Sequence, residues 1–108
     1  MTEPTIGDFE LAVLLSLAAL DEAYGASIRR EVSRRLGREC SVGAVYTTLQ
    51  RLEEKRLISS WTSDPTPVRG GRARRCYEIT PAGDRALRSA RATRERLWKG
   101  VASAWKPA

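Results

Sequence analysis

The sequence contains no histidine and only two cysteines, and these absences exclude several classes of protein. Without histidine, a His-assisted nucleophile, the usual general base at neutral pH and every zinc site that uses imidazole are excluded. Cys40 and Cys76 cannot complete a zinc site by themselves, and their spacing is not that of a disulfide-rich secreted domain. We therefore predict no enzymatic activity, no metal site and no cofactor, and a structural role for both cysteines.

Long apolar runs are absent as well. The longest, residues 9–20, has about 12 residues and contains Glu10, whereas a membrane-spanning helix needs roughly 20 apolar residues. Residues 1–9 are polar and acidic, unlike a secretory signal peptide. We expect a cytoplasmic protein with reduced thiols, and its 108 residues are enough for one domain with a modest core.

Positive charge is in excess. Lys and Arg number 19, Asp and Glu number 13, and the formal net charge is +6. Most of the excess is arginine, whose planar guanidinium group matches phosphates and base edges. The balance favours a nucleic-acid partner, with a generally basic, solvated surface as the alternative.

Hydrophobic periodicity and capping residues predict three helices in the first half of the chain. Asp8 is placed to cap a helix over residues 9–20, Gly37 to end a second over residues 21–37, and Ser41 to cap a third. The first helix is apolar on nearly every side, so it must be covered from two directions. A domain this small covers only one side of that helix, and the uncovered apolar side predicts a partner chain. The short connection between the second and third helices is typical of a helix-turn-helix.

A hairpin and one further helix are predicted in the second half. Alternating patterns at residues 57–61 and 74–80 are typical of strands, and the prolines and glycines between them exclude helix. An arginine-bearing hairpin beside a helix-turn-helix is a wing. Thr80 as the cap and Pro81 at the first helical position begin a last helix that extends to about residue 105.

These elements predict a mainly α-helical fold with a small β-hairpin. We expect a winged helix-turn-helix domain over residues 1–80 and a C-terminal dimerisation helix over residues 81–108. The dimer contacts predicted on the first and last helices are Phe9, Leu11, Val13, Leu14, Leu87, Leu97, Trp98 and Val101. Trp98 and Trp105 lie one to two turns apart on one helix face. Burial in the dimer interface is the favoured interpretation, and the walls of an apolar ligand pocket are the alternative.

The third helix begins with a small, uncharged face that a helix facing only water would not need. In a helix-turn-helix, the second helix of the motif enters the DNA major groove with its N-terminal residues nearest the bases. Small residues there let the backbone approach, hydrogen-bonding side chains follow, and basic residues come where the helix leaves the groove. The predicted contacts are Gly43, Ala44, Tyr46, Thr47, Gln50, Arg51 and Lys55 on this helix, with Arg69, Arg72 and Arg74 on the wing. Two alternatives stay open: Tyr46 only seals the core edge, and the wing arginines are merely solvated.

Three stretches, EAYGASIRREV, SVGAVYTTLQRLEEKRLI and GGRARRCYEITPAG, together resemble the PadR family of bacterial winged-helix transcriptional regulators. The resemblance covers about residues 7–98, and the short chain after Gly83 is typical of the branch with a single C-terminal helix. It implies a homodimer, built from the first and last helices, that binds a dyad-symmetric operator in double-stranded DNA. It adds Ser41, Gly70 and Gly71 to the expected DNA contacts.

Repression, often of a neighbouring gene for a transporter or a detoxifying enzyme, is also implied by the resemblance. Some members of the family sense small aromatic or drug-like molecules at the dimer interface, which suggests a small-molecule effector that contacts Trp98 and Trp105. The residues themselves leave two other functions open, a winged-helix module that binds another protein and a binder of nucleic acid without sequence preference.

Overall fold

The computed structural model describes residues 5–63 and 73–106 of the chain. Helices and strands follow in the order α1 (Asp8–Ala19), α2 (Gly25–Leu36), α3 (Val42–Glu54), β1 (Ile58–Thr62), β2 (Arg75–Ile79), α4 (Pro81–Trp98) and α5 (Val101–Ala104). The mainly helical fold with one small hairpin is confirmed. In the described part of the chain, no helix is long and apolar enough to cross a membrane.

Helix α1 is the central helix, which explains why it is apolar on nearly every side. It packs against α2, α3, β2 and α4, so the chain's own core covers it from several directions. Val13 and Leu14 are 0% exposed and offer no surface to a partner, so these two predicted dimer contacts are wrong. The prediction assumed that a domain of this size covers such a helix from one side only. Leu15 is the exposed large hydrophobic residue of α1 instead.

Capping residues begin α3 and α4 where the sequence predicts. Ser41 Oγ accepts a hydrogen bond from the Ala44 N–H at 3.1 Å, and Thr80 Oγ1 accepts one from the Gly83 N–H at 3.0 Å. Gly37 ends α2 in the left-handed region, with φ of 69°. The turn between α2 and α3 is therefore short, and α3 lies across α2 as a helix-turn-helix requires.

The start of α1 differs from the prediction. Gly7 is the N-cap and Asp8 is the first helical residue, because the Glu10 carboxylate accepts a hydrogen bond from the Gly7 N–H at 3.3 Å. The carboxylate of Asp8 pairs with the guanidinium group of Arg94 on α4 at 2.9 Å, and the same guanidinium group donates to the Ile6 carbonyl at 3.0 Å. Arg94 thus connects α4 to the first residue of α1 and to the segment before it.

Strands β1 and β2 form an antiparallel hairpin whose register runs from Ile58 opposite Ile79 to Thr62 opposite Arg75. The segment before α2 adds to the other edge of β2, where Tyr24 forms a bridge with Cys76. This addition fixes the hairpin to the start of α2. Four of the predicted wing contacts lie outside the described residues: Arg69, Gly70, Gly71 and Arg72.

The last helix is shorter than predicted. Helix α4 ends at Trp98, Gly100 has a φ of 77°, and the single turn α5 follows. A glycine adopts this left-handed conformation without strain and allows the chain to bend. The ring centroids of Trp98 and Trp105 are 6.0 Å apart. The two tryptophans meet because the chain bends, so the prediction that they share one face of a continuous helix is wrong.

Candidate nucleic-acid interface

Helix α3 turns its small, uncharged face to solvent. Val45, Leu49 and Leu52 are buried in the core, and they fix the helix with its opposite side outward. The exposed residues on that side are Ser41, Gly43, Ala44, Thr47, Gln50 and Arg51. A Cβ atom added to Gly43 would meet no heavy atom within 4 Å. The packing of the chain itself therefore does not require a glycine at this position.

Tyr46 lies beside this face and packs against the start of α2. About half of its side chain is exposed, and its ring covers Gly25. A Cβ atom at Gly25 would lie 2.7 Å from Tyr46 Cζ and would collide with the hydroxyl group. Gly25 therefore permits the close approach of α2 and α3. Tyr46 seals this junction, as one of the two sequence interpretations holds, and its role as a DNA contact stays a prediction.

A polar network joins α3 to both strands of the hairpin. The Glu53 carboxylate accepts a hydrogen bond from Ser60 Oγ on β1 at 2.6 Å and another from Arg75 Nη2 on β2 at 3.3 Å. Burial raises the pKa of Tyr77, and the neighbouring Arg75 guanidinium group offsets only part of that rise. Glu53 thus holds the hairpin against the end of α3 and fixes their relative orientation.

Lys55, a predicted DNA contact, has a partner within the chain. Its Nζ donates to the Glu10 carboxylate at 2.9 Å and so connects the end of α3 to α1. Partial burial disfavours the charged form of Glu10, but the hydrogen bonds from Lys55 and the Gly7 N–H and the charges of Lys55 and Arg51 outweigh burial. The pKa of Glu10 is therefore lower than its ordinary value of 4.5.

Arg74 is exposed at the loop end of the hairpin, just before β2 and next to the segment that precedes α2. Its guanidinium carbon lies 4.2 Å from the centroid of the Tyr24 ring. Sequence reasoning selected Arg74 but missed Tyr24 and Glu53, because both act through contacts with residues distant in the chain. Only the tyrosine–glycine pair at positions 24–25 was visible as a sequence motif. Its structural role depends on the packing of Tyr46 against Gly25.

Comparison with known proteins identifies the family. The model of the "Transcriptional regulator PadR-like family" matches residues 14–89. A curated relative, the transcriptional regulator Rv3488 of Mycobacterium tuberculosis, is 42% identical over 88 residues, which is 82% of this chain and 78% of the relative. The chain belongs to the PadR-like family of transcriptional regulators. Members of this family and the curated relative are regulators of transcription and not enzymes.

Solved structures share the fold of this PadR-like regulator. A PadR family transcription regulator from Clostridium difficile has a TM-score of 0.71 and 28% identity, and the match covers 91% of this chain and 97% of that one. A PadR-like transcription factor from Bacteroides fragilis has a TM-score of 0.72, with 89% and 88% of the two chains covered. At 24% identity, the second likeness shows the fold alone.

The PadR-like regulator also exposes an apolar surface far from the start of α3. An open groove of about 1010 Å³ lies between α1 and α4. Its lining residues are apolar (Leu11, Leu15, Leu87 and Trp98) and charged (Arg88, Arg91, Arg94, Glu95 and Lys99). Leu97 is 71% exposed, Trp98 63% and Trp105 56%. The other predicted dimer contacts, Phe9 and Val101, are half-buried. Large apolar side chains exposed together are typical of surfaces that bind a protein, a membrane or a ligand.

Proposed function

We propose that this PadR-like regulator binds double-stranded DNA with sequence specificity, with the start of α3 in the major groove and the wing on the adjacent backbone. The observation that carries the proposal is the exposed, uncharged face of α3, where Gly43 has open space around it. Residues 1–80 then form the DNA-binding domain. The proposed contacts are Ser41, Gly43, Ala44, Tyr46, Thr47, Gln50, Arg51 and Lys55 on α3, with Arg69, Gly70, Gly71, Arg72 and Arg74 on the wing.

Lys55 is proposed as a backbone contact that exchanges partners. In the free chain its ammonium group is paired with Glu10, and this partly exposed pair contributes at most about 1 kcal/mol. A phosphate offers a charge-assisted hydrogen bond of at least equal strength. DNA therefore replaces the carboxylate at little cost.

The groove between α1 and α4 is proposed as a homodimer interface, covered by a second copy of this chain. Exposure of Leu97 and Trp98 next to the groove supports this assignment, because a soluble monomer gains nothing from such a surface. The segment over residues 81–108, which includes α4 and α5, then mediates dimerisation. Two-fold symmetry places the two reading helices about 34 Å apart on a dyad-symmetric operator.

Repression is the proposed outcome of operator binding, and a small apolar or aromatic effector at the dimer interface is proposed to relieve it. The contact between the rings of Trp98 and Trp105 supports the effector site, because it gathers aromatic surface at the edge of the groove. Titration of the dimer with a planar aromatic dye tests the site by quenching of tryptophan fluorescence. If the dye changes the fluorescence of neither the wild type nor a Trp98→Phe variant, the effector site is removed from the proposal.

The DNA-binding proposal is tested by fluorescence anisotropy with duplexes from the region upstream of the protein's own gene and a scrambled control, at low and near-physiological salt. We expect tight binding to one native duplex that survives added salt while binding to the control is lost. Equal affinities that fall together would indicate binding without sequence preference. Absence of binding to every duplex at low salt would favour a protein-interaction module.

The dimer is tested separately with a matched pair of variants. Trp98→Ala and Trp61→Ala each remove an exposed tryptophan, at the groove and on the hairpin respectively. A central interface tryptophan contributes 2 kcal/mol or more, so Trp98→Ala should raise the dimer dissociation constant about 30-fold or more in sedimentation. Trp61→Ala should leave it unchanged. Equal effects of the two substitutions would place the interface elsewhere.

A further inference from the structure

Arg74 and Arg75 are neighbours in sequence, but their guanidinium groups lie in different surroundings. Successive side chains of a strand point to opposite faces of the sheet. Arg75 points toward α3 and forms an ion pair with Glu53, with Nη2 and Oε2 3.3 Å apart. Arg74 points toward the segment before α2 and lies over the ring of Tyr24. Within residues 5–63 and 73–106, no carboxylate forms an ion pair with Arg74.

The two surroundings have different consequences for DNA binding. A carboxylate neutralises the guanidinium charge and occupies its N–H donors. An aromatic ring attracts the cation through its negative face and leaves the in-plane N–H donors and the net charge available to a phosphate. An arginine held in this way has already lost part of the side-chain freedom that binding would otherwise remove. Arg74 is therefore oriented and still able to bind an anion.

Tyr24 is itself held in place by its backbone. Its N–H donates to Ser27 Oγ at 3.0 Å in the first turn of α2, and it pairs with Cys76 of β2. The next residue, Gly25, touches Tyr46 of α3. The backbone of Tyr24 thus connects the start of α2 to β2, and its ring lies against Arg74 at the loop end of the hairpin.

We propose that Tyr24 is a positioning residue for DNA binding, whose ring holds the Arg74 guanidinium group in the orientation that contacts a DNA phosphate. Arg74 makes the contact, and Tyr24 acts through it. Arg75, tied to Glu53, keeps the hairpin in place and makes no such contact. This inference rests on the proposed DNA-binding function and adds a residue to it.

Four variants test the inference on the duplex that the wild-type protein binds: Tyr24→Phe, Tyr24→Leu, Arg74→Ala and the double variant Tyr24→Leu/Arg74→Ala. Tyr24→Phe keeps the ring and should bind as the wild type does. Tyr24→Leu should weaken binding about two- to twelvefold, because the Arg74 side chain would then lose its freedom only on binding. Arg74→Ala should lower the slope of log affinity against log salt by about 0.9, because one phosphate contact is lost. In the Arg74→Ala background, Tyr24→Leu should have no further effect.

Three outcomes would overturn the inference. Equal losses from Tyr24→Leu in both backgrounds would mean that Tyr24 acts independently of Arg74. A loss from Tyr24→Phe as large as that from Tyr24→Leu would assign the effect to the hydroxyl group. A wild-type protein that binds no duplex would refute the DNA-binding proposal itself, whereas the first two outcomes leave that proposal intact. Thermal unfolding accompanies each variant, and Tyr24→Met, whose unbranched side chain adapts to irregular gaps, replaces Tyr24→Leu if the latter unfolds.

Discussion

Replacing Gly43 by alanine is expected to stabilise the folded chain and to weaken DNA binding. Gly43 is the second residue of α3, and a Cβ atom there would meet no heavy atom within 4 Å. Alanine in place of a helical glycine gains roughly 0.5–1 kcal/mol, mainly because the unfolded chain becomes less flexible. In a domain of this size, such a gain raises the midpoint of thermal unfolding by about 2–6 °C.

The added methyl group would also stand on the surface proposed to approach the bases. A poorly fitted contact in a specific protein–DNA interface costs roughly 1–3 kcal/mol, which corresponds to about 5- to 150-fold in affinity. We expect the loss for the operator duplex to exceed that for a scrambled duplex. Fluorescence anisotropy on both duplexes measures this difference, and differential scanning calorimetry measures the stability.

Gly25→Ala supplies the contrasting variant. A Cβ atom at Gly25 would collide with the Tyr46 hydroxyl group, so this substitution should lower the unfolding midpoint. The two substitutions are thus expected to shift the unfolding midpoint in opposite directions. Gly25 is required by a contact within the chain, whereas Gly43 is required by the proposed approach of DNA. A Gly43→Ala protein that is more stable and binds the operator as tightly as the wild type would refute a close approach of α3 to DNA.

Three further predictions concern single side chains. Glu10→Gln should remove a stabilisation of the folded state that is present above pH 4.5 and is lost as the pH falls through the lowered pKa of Glu10. The free energies of urea unfolding of the variant and the wild type should therefore become equal in acid. Glu53→Gln should reduce the ratio of the affinity for the operator duplex to that for the scrambled duplex. The free energy of unfolding should fall by no more than about 1 kcal/mol. An unchanged affinity ratio would contradict the orienting role of Glu53. Gly100 has a φ of 77°, so Gly100→Ala should lower the free energy of unfolding by roughly 1–2 kcal/mol. It should also alter the near-ultraviolet circular dichroism from Trp98 and Trp105. An identical spectrum would mean that the bend does not need glycine.

Sequence reasoning worked best where structure is determined by neighbouring residues. Ser41, Thr80 and Gly37 act on backbone groups within three or four positions of themselves, so the ends of α2 and the starts of α3 and α4 follow from local chemistry. The spacing of the buried residues of α3 likewise indicates which side faces outward. The orientation of α3 was therefore predictable, although Val42, which shares the spacing of the buried residues, is 55% exposed.

Contacts between distant parts of the chain were not predictable in this way. Lys55 pairs with a carboxylate 45 positions away, and the partners of Arg94 are more than 80 positions away. The same limitation produced the error at α1, since an apolar helix buried centrally in one chain has the composition of a helix shared between two. Only the packing of α2, α3, β2 and α4 around α1 distinguishes these cases, and no local pattern encodes it.

The start of α1 connects the two proposed surfaces of this regulator. Asp8 is paired with Arg94 on α4, beside the groove, and Glu10 is paired with Lys55 at the end of α3, each at 2.9 Å. Partly exposed pairs of this kind contribute little to stability, so their effect is on orientation. The stability comes from the buried side of α1, which packs on α3 and α4 at once. In the proposed dimer, a change in how two copies pack along α1 and α4 therefore moves α3 with it and alters the separation of the two reading helices. Because the spacing of operator half-sites would be fixed, the proposed effector in the groove would then weaken DNA binding without contacting α3.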